Sequence, residues 1–332
     1  MIKKAKEILL KDGIVAIPTE TVYGLAASIQ SEIGLKKIFS TKERPFFDPL
    51  IVHVSSIEQA KSLVLNWTPA VECLTKKYWP GPLTIVQKKS SLVSDLITSG
   101  LETVAIRMPN HPLTLELIDE LNIPLAAPSA NKFGKTSPTT AEHVKKEFNN
   151  LDLFIIDGGP SEVGLESTII SLDEENGSLE ISLLRSGQLT LSEICSTLRA
   201  QGFIVIIKDK PSKIQVPGHM KHHYMPEKPI LFIRNDSPFD FSLQKKDLLK
   251  RINDLPHTIE EVQLKKINQL ENFCELILSD DSTLAARELY SQLRVSSIGT
   301  QDVIIFFEKD LHKKESWSAI LDRLMKASTL II

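Results

Sequence analysis

Short apolar runs alternate with helical patterns along most of this chain, and that alternation limits its fold more than any other feature. The runs at 14–17, 50–54, 83–86, 104–106, 153–156 and 168–170 are bounded by Pro, Gly, Asp or other polar residues. Runs this short with such punctuation are expected as buried strands. Their alternation with helices predicts an α/β sheet. Ile2, Ala5, Ile8 and Leu9 fall on one helical face and Gly13 suits the stop. A further helix at 191–200 and a strand at 203–207 extend the pattern.

The texture changes after residue 208. Residues 209–229 hold Pro211, Pro217, Gly218, Pro226 and Pro229 with Lys and His between them and no apolar periodicity, as expected of an inter-domain linker. Beyond it, 230–233 and 303–307 are expected as strands, and 282–293 and 319–325 as helices. The domains are therefore expected at 1–208 and 230–332, the second a small α/β domain. The prolines fix the linker's path, and His219, Lys221, His222, His223 and Tyr224 can meet an anionic or aromatic group, so 209–229 is either a lid over the site or a basic, solvated spacer.

With 332 residues there is room for a core in each part. The net charge of −3 gives no global reason for nucleic-acid or anionic-membrane binding, so an anionic ligand needs locally placed cations. No apolar stretch approaches the ~18 residues of a membrane span, and the N-terminus leads into a helix pattern, so a cytoplasmic location is expected. The three cysteines, Cys73, Cys195 and Cys274, are too scattered for a disulfide framework or a zinc ribbon. His219, His222 and His223 lie in the linker without an acidic or Cys partner, and no protein metal site is expected.

Polar residues gather next to the predicted strands. Pro18-Thr19-Glu20-Thr21-Val22-Tyr23-Gly24-Leu25 follows the first, where its hydroxyls either orient a small substrate or cap a helix start. Lys42-Glu43-Arg44-Pro45 precedes the second. In an extended segment Lys42 and Arg44 point the same way, and they either converge on a polyphosphate or remain solvated surface charges. His53 sits inside an apolar strand, more often the place of a satisfied core histidine. Arg107 ends another strand and pairs either a substrate carboxylate or a structural one. The stretch 124–139 is dense in small and hydroxyl residues, including Ala127, Ser129, Asn131 and Ser137. It suits a backbone anion nest or a loop in which Ser137 or Thr139 caps the next helix. Ser167, Thr168 and Arg185 lie at other strand ends. No Walker A loop is present, because Leu165-Glu166 follows Gly159 to Gly164 where Lys-Ser/Thr would be needed.

In this order the segments resemble the YrdC-like threonylcarbamoyl-AMP synthases in their long, two-domain form. The family pattern K-x-R…S-x-N stands as Lys42-Glu43-Arg44 and Ser129-Ala130-Asn131. Its flanking signatures stand as Pro18 to Leu25, Trp79-Pro80-Gly81-Pro82-Leu83-Thr84, Arg107-Met108-Pro109 and Gly164 to Thr168. The linker motif P-G-x-x-x-x-H-Y-x-P stands as Pro217-Gly218 through His223-Tyr224-Met225-Pro226, and this resemblance implies that 209–229 acts as a lid. The resemblance implies a YrdC-like twisted open sheet with flanking helices and a small Rossmann-like C-terminal domain. It implies synthesis of threonylcarbamoyl-AMP and pyrophosphate from ATP, bicarbonate and L-threonine. The product would feed N6-threonylcarbamoyladenosine modification of tRNA position 37 through a downstream transferase complex, with tRNA contact indirect or weak. Lys42 and Arg44 would be catalytic. Lys42, Arg44, Thr103, Ala127, Ser129, Asn131, Ser137, Arg185 and Tyr224 would meet ATP with its Mg2+. Thr19, Tyr23, His53, Arg107 and Ser167 would surround threonine, with Arg107 at its carboxylate.

Two other readings compete. A carbamoyl-adenylate former of the hydrogenase-maturation type would carry zinc-binding Cys pairs, and this chain has no C-x-x-C. A double-stranded RNA-binding module would call for a more basic chain.

Overall fold

The computed structural model describes residues 1–175, 177–209, 217, 223–234 and 272–331. The chain forms two compact units. One comprises Met1–Phe133 with Ser137–His219, the other Gly134–Thr136 with Met220–Ile332.

In the first unit α1 (Ile2–Leu10) leads into β1 (Val15–Ile17) and β2 (Gly24–Ser28), followed by α2 (Glu32–Lys42) and β3 (Ile51–His53). Helices α3 (Ile57–Ser62) and α4 (Pro69–Tyr78) precede β4 (Leu83–Lys88), then α5 (Asp95–Thr98), β5 (Thr103–Arg107), α6 (Pro112–Leu121) and β6 (Leu125–Ala126). The unit continues with α7 (Ala141–Glu147), β7 (Phe154–Ile155), β8 (Thr168–Glu175), β9 (Ser178–Arg185), α8 (Leu191–Ala200) and β10 (Val205–Lys208). The strands form one mixed sheet in the order β10-β9-β8-β4-β5-β3-β6-β2-β1-β7.

Register decides which side chains share a face. Ile51 pairs with Ala105 and His53 with Arg107 across parallel β3 and β5. Because strand side chains alternate, Ile51, His53, Ala105 and Arg107 lie on one side of the sheet. The opposite side carries the main core, in which Val52, Ile85, Val104 and Ile106 pack under residues of α2, α4 and α8. Helices α1 and α6 cover a second cluster that includes Leu9, Ile17, Leu117 and Ala127. Ile51, Val86, Ala105, Ile169 and Leu184 make a smaller apolar floor.

Both ends of α2 are fixed by local chemistry. Ser31 caps its start by accepting from the Gly34 amide at 2.8 Å. At its other end Pro45 disfavours helical backbone at Arg44, and the chain turns through Glu43 in the left-handed region, φ 53°. Lys42 is therefore the last helical residue, and Arg44 lies beyond a tight reversal. The expected extended segment holding both is absent, so their shared direction does not come from strand alternation. Nor does a helix follow Thr19 and Thr21; β2 does. The cap of α7 is Thr140, which accepts from the His143 amide, rather than Ser137 or Thr139.

In the second unit β11 (Ile230–Ile233), β12 (Phe273–Glu275), β13 (Val303–Phe307) and β14 (Leu330–Ile331) form a parallel sheet ordered β12-β13-β11-β14. Helix α9 (Ser282–Ile298) joins β12 to β13, and α10 (Ser318–Ala327) joins β13 to β14. Asp281 caps α9, accepting from the Thr283 and Leu284 amides. This is the small Rossmann-like domain expected. Among the described residues no helix is long and apolar enough to cross a membrane.

Candidate active site

The loop 128–133 is tied to the end of α2. Lys42 Nζ donates to the Ser129 carbonyl at 2.5 Å and to the Asn131 carbonyl, and the Phe133 amide donates to the Lys42 carbonyl at 2.7 Å. Lys42 is buried, and burial, then the Arg44 charge, hold its ammonium well below the usual lysine range. Ser129 is half-buried, and its hydroxyl has no hydrogen-bond partner among the described residues. Asn131 Nδ2 donates to the Lys132 carbonyl.

Arg44 is fixed from three sides. Its Nη2 meets Asp48 Oδ2 at 2.9 Å and donates to the Pro49 carbonyl at 2.8 Å, while Nε donates to the Asp48 carbonyl. Burial pushes the Asp48 carboxyl up, against the charges of Arg44, Lys42 and Arg185. Arg185, the last residue of β9, donates from Nε to the Ser167 carbonyl at 3.1 Å and from Nη2 to the Ser167 hydroxyl at 3.0 Å. The Ser167 hydroxyl also lies 2.7 Å from that of Thr84. Next to Ser167, Glu166 accepts from the Ser137 hydroxyl at 2.6 Å. Lys42, Arg44, Asp48, Ser129, Asn131, Ser137, Ser167 and Arg185 thus form one neighbourhood.

A second group joins it through Tyr23. The Tyr23 carbonyl accepts from the Ala130 amide and its own amide donates to the Pro138 carbonyl. Its phenol is already engaged, donating to the Gly159 carbonyl at 2.8 Å and accepting from the Gly158 amide, and burial raises its pKa. Thr19 closes a local turn, its hydroxyl donating to the Val22 carbonyl at 2.6 Å. Arg107 takes the structural partner: Nη2 pairs with Glu20 Oε2 at 2.6 Å, Nη1 donates to the Thr21 hydroxyl at 2.7 Å, and Nε donates to the Gly81 carbonyl. Beside it, His53 is buried. Its Nδ1 is buried without a hydrogen-bond partner among the described residues. Burial first, then the Arg107 charge, hold the imidazole down at about 3, so it is neutral at physiological pH.

Ala127 lines the sheet beside Ile51, whose carbonyl accepts its amide. Thr103 begins β5 and Arg107 ends it, so they stand ~13 Å apart along the strand. No described hydrogen bond joins the Thr103 side chain to the cluster. Tyr224 belongs to the second unit. Of the expected lid, residues 210–216 and 218–222, with His219, Lys221 and His222, lie outside the described residues. The carbonyl of Pro217 accepts from Arg185 Nη1 at 3.3 Å.

Sequence reasoning did not single out Glu20, Asp48, Thr84 or Glu166 as site residues. A signal existed for the acids: each sits inside a motif of otherwise small, apolar or hydroxyl residues. Each proves buried, which a lone surface carboxylate would not be.

A mixed open sheet with buried cations around a small-residue loop, joined to a parallel Rossmann-like unit, defines a two-domain YrdC-like enzyme. Residues 7–187 match the family described as "Telomere recombination", whose model carries the YrdC name, and residues 189–329 match "Threonylcarbamoyl-AMP synthase, C-terminal domain". The chain is 36% identical to the threonylcarbamoyl-AMP synthase of Pyrococcus abyssi, over 98% of this chain and 94% of that protein. It is 36% identical to that of Bacillus subtilis, over 98% and 92%. The crystal structure of the Pyrococcus abyssi protein complexed with L-threonine aligns with a TM-score of 0.80 at 34% identity, covering 99% of this chain and 95% of that one. The chain belongs to the threonylcarbamoyl-AMP synthase family, in its long two-domain form.

Proposed function

We propose that this chain converts L-threonine, bicarbonate and ATP to threonylcarbamoyl-AMP, pyrophosphate and water. The observation that carries the reading is electrostatic. Three buried cations, Lys42, Arg44 and Arg185, act on one buried carboxylate, Asp48, beside a loop of small residues. Gathering cations out of water is costly, and a polyanionic ligand offsets that cost.

The chemistry follows from the substrates. Threonine's amine adds to the bicarbonate carbon and water leaves, giving a carbamate. A carbamate oxygen attacks the α-phosphorus, and the electron pair of the breaking α–β bond leaves with pyrophosphate. Negative charge grows on the phosphate oxygens and the leaving group, so prepositioned cations supply the main stabilisation. Lys42 and Arg44 fill that role. Ser129, Asn131, Ser137 and Arg185 hold the nucleotide, with Ala127 and Thr103 on the sheet beside it. Thr19, Tyr23, His53 and Ser167 surround threonine. Arg107, engaged by Glu20 and Thr21, orients that wall and offers its charge to the amino-acid carboxylate. No covalent enzyme intermediate is required.

Mg2+ fits as a companion of the nucleotide. Among the described residues no three His, Cys, Asp or Glu side chains are grouped as a metal cage, and Asp48 and Glu166 are engaged by Arg44 and Ser137. Mg2+ arriving with the nucleotide would supply neutralisation of the leaving-group charge. The adenylate serves a transferase that modifies tRNA.

Pyrophosphate release with ATP, bicarbonate and single amino acids tests the reading. Threonine should support turnover, serine should lose roughly 10-fold to 200-fold for one methyl, and valine should fail because the pocket's hydroxyl partners are left unpaired. Lys42→Ala should cut the threonine rate by orders of magnitude. Equal rates with valine and threonine, or full activity in Lys42→Ala, would overturn the assignment.

A further inference from the structure

Three residues in the middle of the ligand loop, Gly134–Thr136, pack as part of the second unit. Their attachment is specific. The Gly134 carbonyl accepts from the Met225 amide at 2.8 Å, and Lys135 forms a short parallel bridge with Met225. The Thr136 hydroxyl donates to the Tyr224 carbonyl at 3.2 Å, and the Thr136 carbonyl accepts from Arg294 Nη2.

Tyr224 is itself locked. It adopts φ 66°, uncommon for a residue with a Cβ. Its ring is buried, stacked on Tyr290 at 5.9 Å, edge-on to His223 at 4.2 Å, and has the Arg323 guanidinium 5.2 Å from its centroid. Tyr290 and Arg294 are four residues apart on α9 and share one helix face. One face of α9 therefore holds the Tyr224 ring and the Thr136 carbonyl together. The residue after Thr136 is Ser137, whose hydroxyl bonds to Glu166 in the candidate site. The direction of the Thr136 carbonyl fixes the peptide plane that delivers Ser137.

We propose that Arg294 is a positioning residue for nucleotide use: by holding the Thr136 carbonyl it sets the backbone from which Ser137 meets the nucleotide. The proposal rests on the function proposed above.

The test uses the full-length chain with Arg294→Leu, which keeps an apolar stem and removes the donor, and Arg294→Lys, which keeps one donor. Steady-state kinetics and hydrogen exchange are read together. Arg294→Leu should raise the KM for ATP by about tenfold, the loss of one charge-assisted hydrogen bond, with kcat and the KM for threonine nearly unchanged. Arg294→Lys should recover most of the loss. Amides at 134–139 should exchange faster in Arg294→Leu while those of β11 and β13 keep wild-type protection. An unchanged KM for ATP in Arg294→Leu, or no recovery in Arg294→Lys, would overturn the proposal. So would equal loosening of β11 and β13, which would make Arg294 a residue of general domain stability. If the wild-type chain forms no adenylate, the function reading fails separately, and the exchange at 134–139 still reports whether Arg294 holds the loop.

Discussion

Arg107 and His53 show how much a single side chain's meaning depends on burial. On sequence, Arg107 has two uses, a substrate carboxylate or a structural one. The structure gives it Glu20 at 2.6 Å, with both side chains 4% exposed. Removing one partner of such a pair leaves the other charge buried, at a cost of roughly 3–5 kcal/mol. Arg107→Ala should therefore lower the urea midpoint strongly as well as weaken threonine use; wild-type stability with a raised KM alone would mean that the ion pair matters little. His53 carries a pH signature. Its folded pKa of about 3 lies below the ordinary histidine value, so below about pH 6.5 the unfolded chain binds a proton that the folded chain does not. Stability is thus lost as pH falls through that range, by about 2 kcal/mol at pH 5 from this residue. Chemical denaturation at pH 8 and pH 5 should show a loss of this size that is missing in His53→Asn. An equal pH dependence in both proteins would show that His53 is not held neutral.

Among the elements, β1, β3, β4, β5, β8, β11 and β13 were legible because each is a run of Val, Ile, Leu or Phe between breakers. Strand β2 was not. Its Gly-Leu-Ala-Ala-Ser lacks β-branched residues, and it forms because β1 and β6 flank it and Pro128 accepts from Leu25. The Lys42–Arg44 pairing was legible as a motif but not as geometry. A helix end, a left-handed Glu43 and the Asp48 carboxylate bring the two together, and none of these follows from strand alternation. The Ser167–Arg185 contact depends on a further close approach that sequence does not show. A Cβ placed on Gly187 would lie 2.3 Å from the Thr168 amide nitrogen and 2.7 Å from the Ser167 carbonyl carbon, both backbone atoms. Gly187→Ala should therefore displace the start of β8, cost about 1–3 kcal/mol, and depress ATP turnover. A variant with wild-type melting temperature and wild-type KM for ATP would show that the approach at Gly187 tolerates a side chain.

For the whole molecule, the sequence shows a change of texture near residue 209, but not which segments pack together. The second unit takes Gly134–Thr136 from the middle of the first, an exchange between distant segments of the chain that no local pattern announces. The function proposed for the buried cations and the small-residue loop is assembly of one adenylate from three substrates. Its sharpest test incubates the full chain with ATP, threonine and isotopically labelled bicarbonate, followed by mass spectrometry of the quenched mixture. One product should appear that holds AMP, threonine and the labelled carbon, formed with an equal amount of pyrophosphate and only when all three substrates are present. Pyrophosphate release without labelled carbon in an adenylate, or an AMP–threonine product that forms equally without bicarbonate, would refute the proposed reaction.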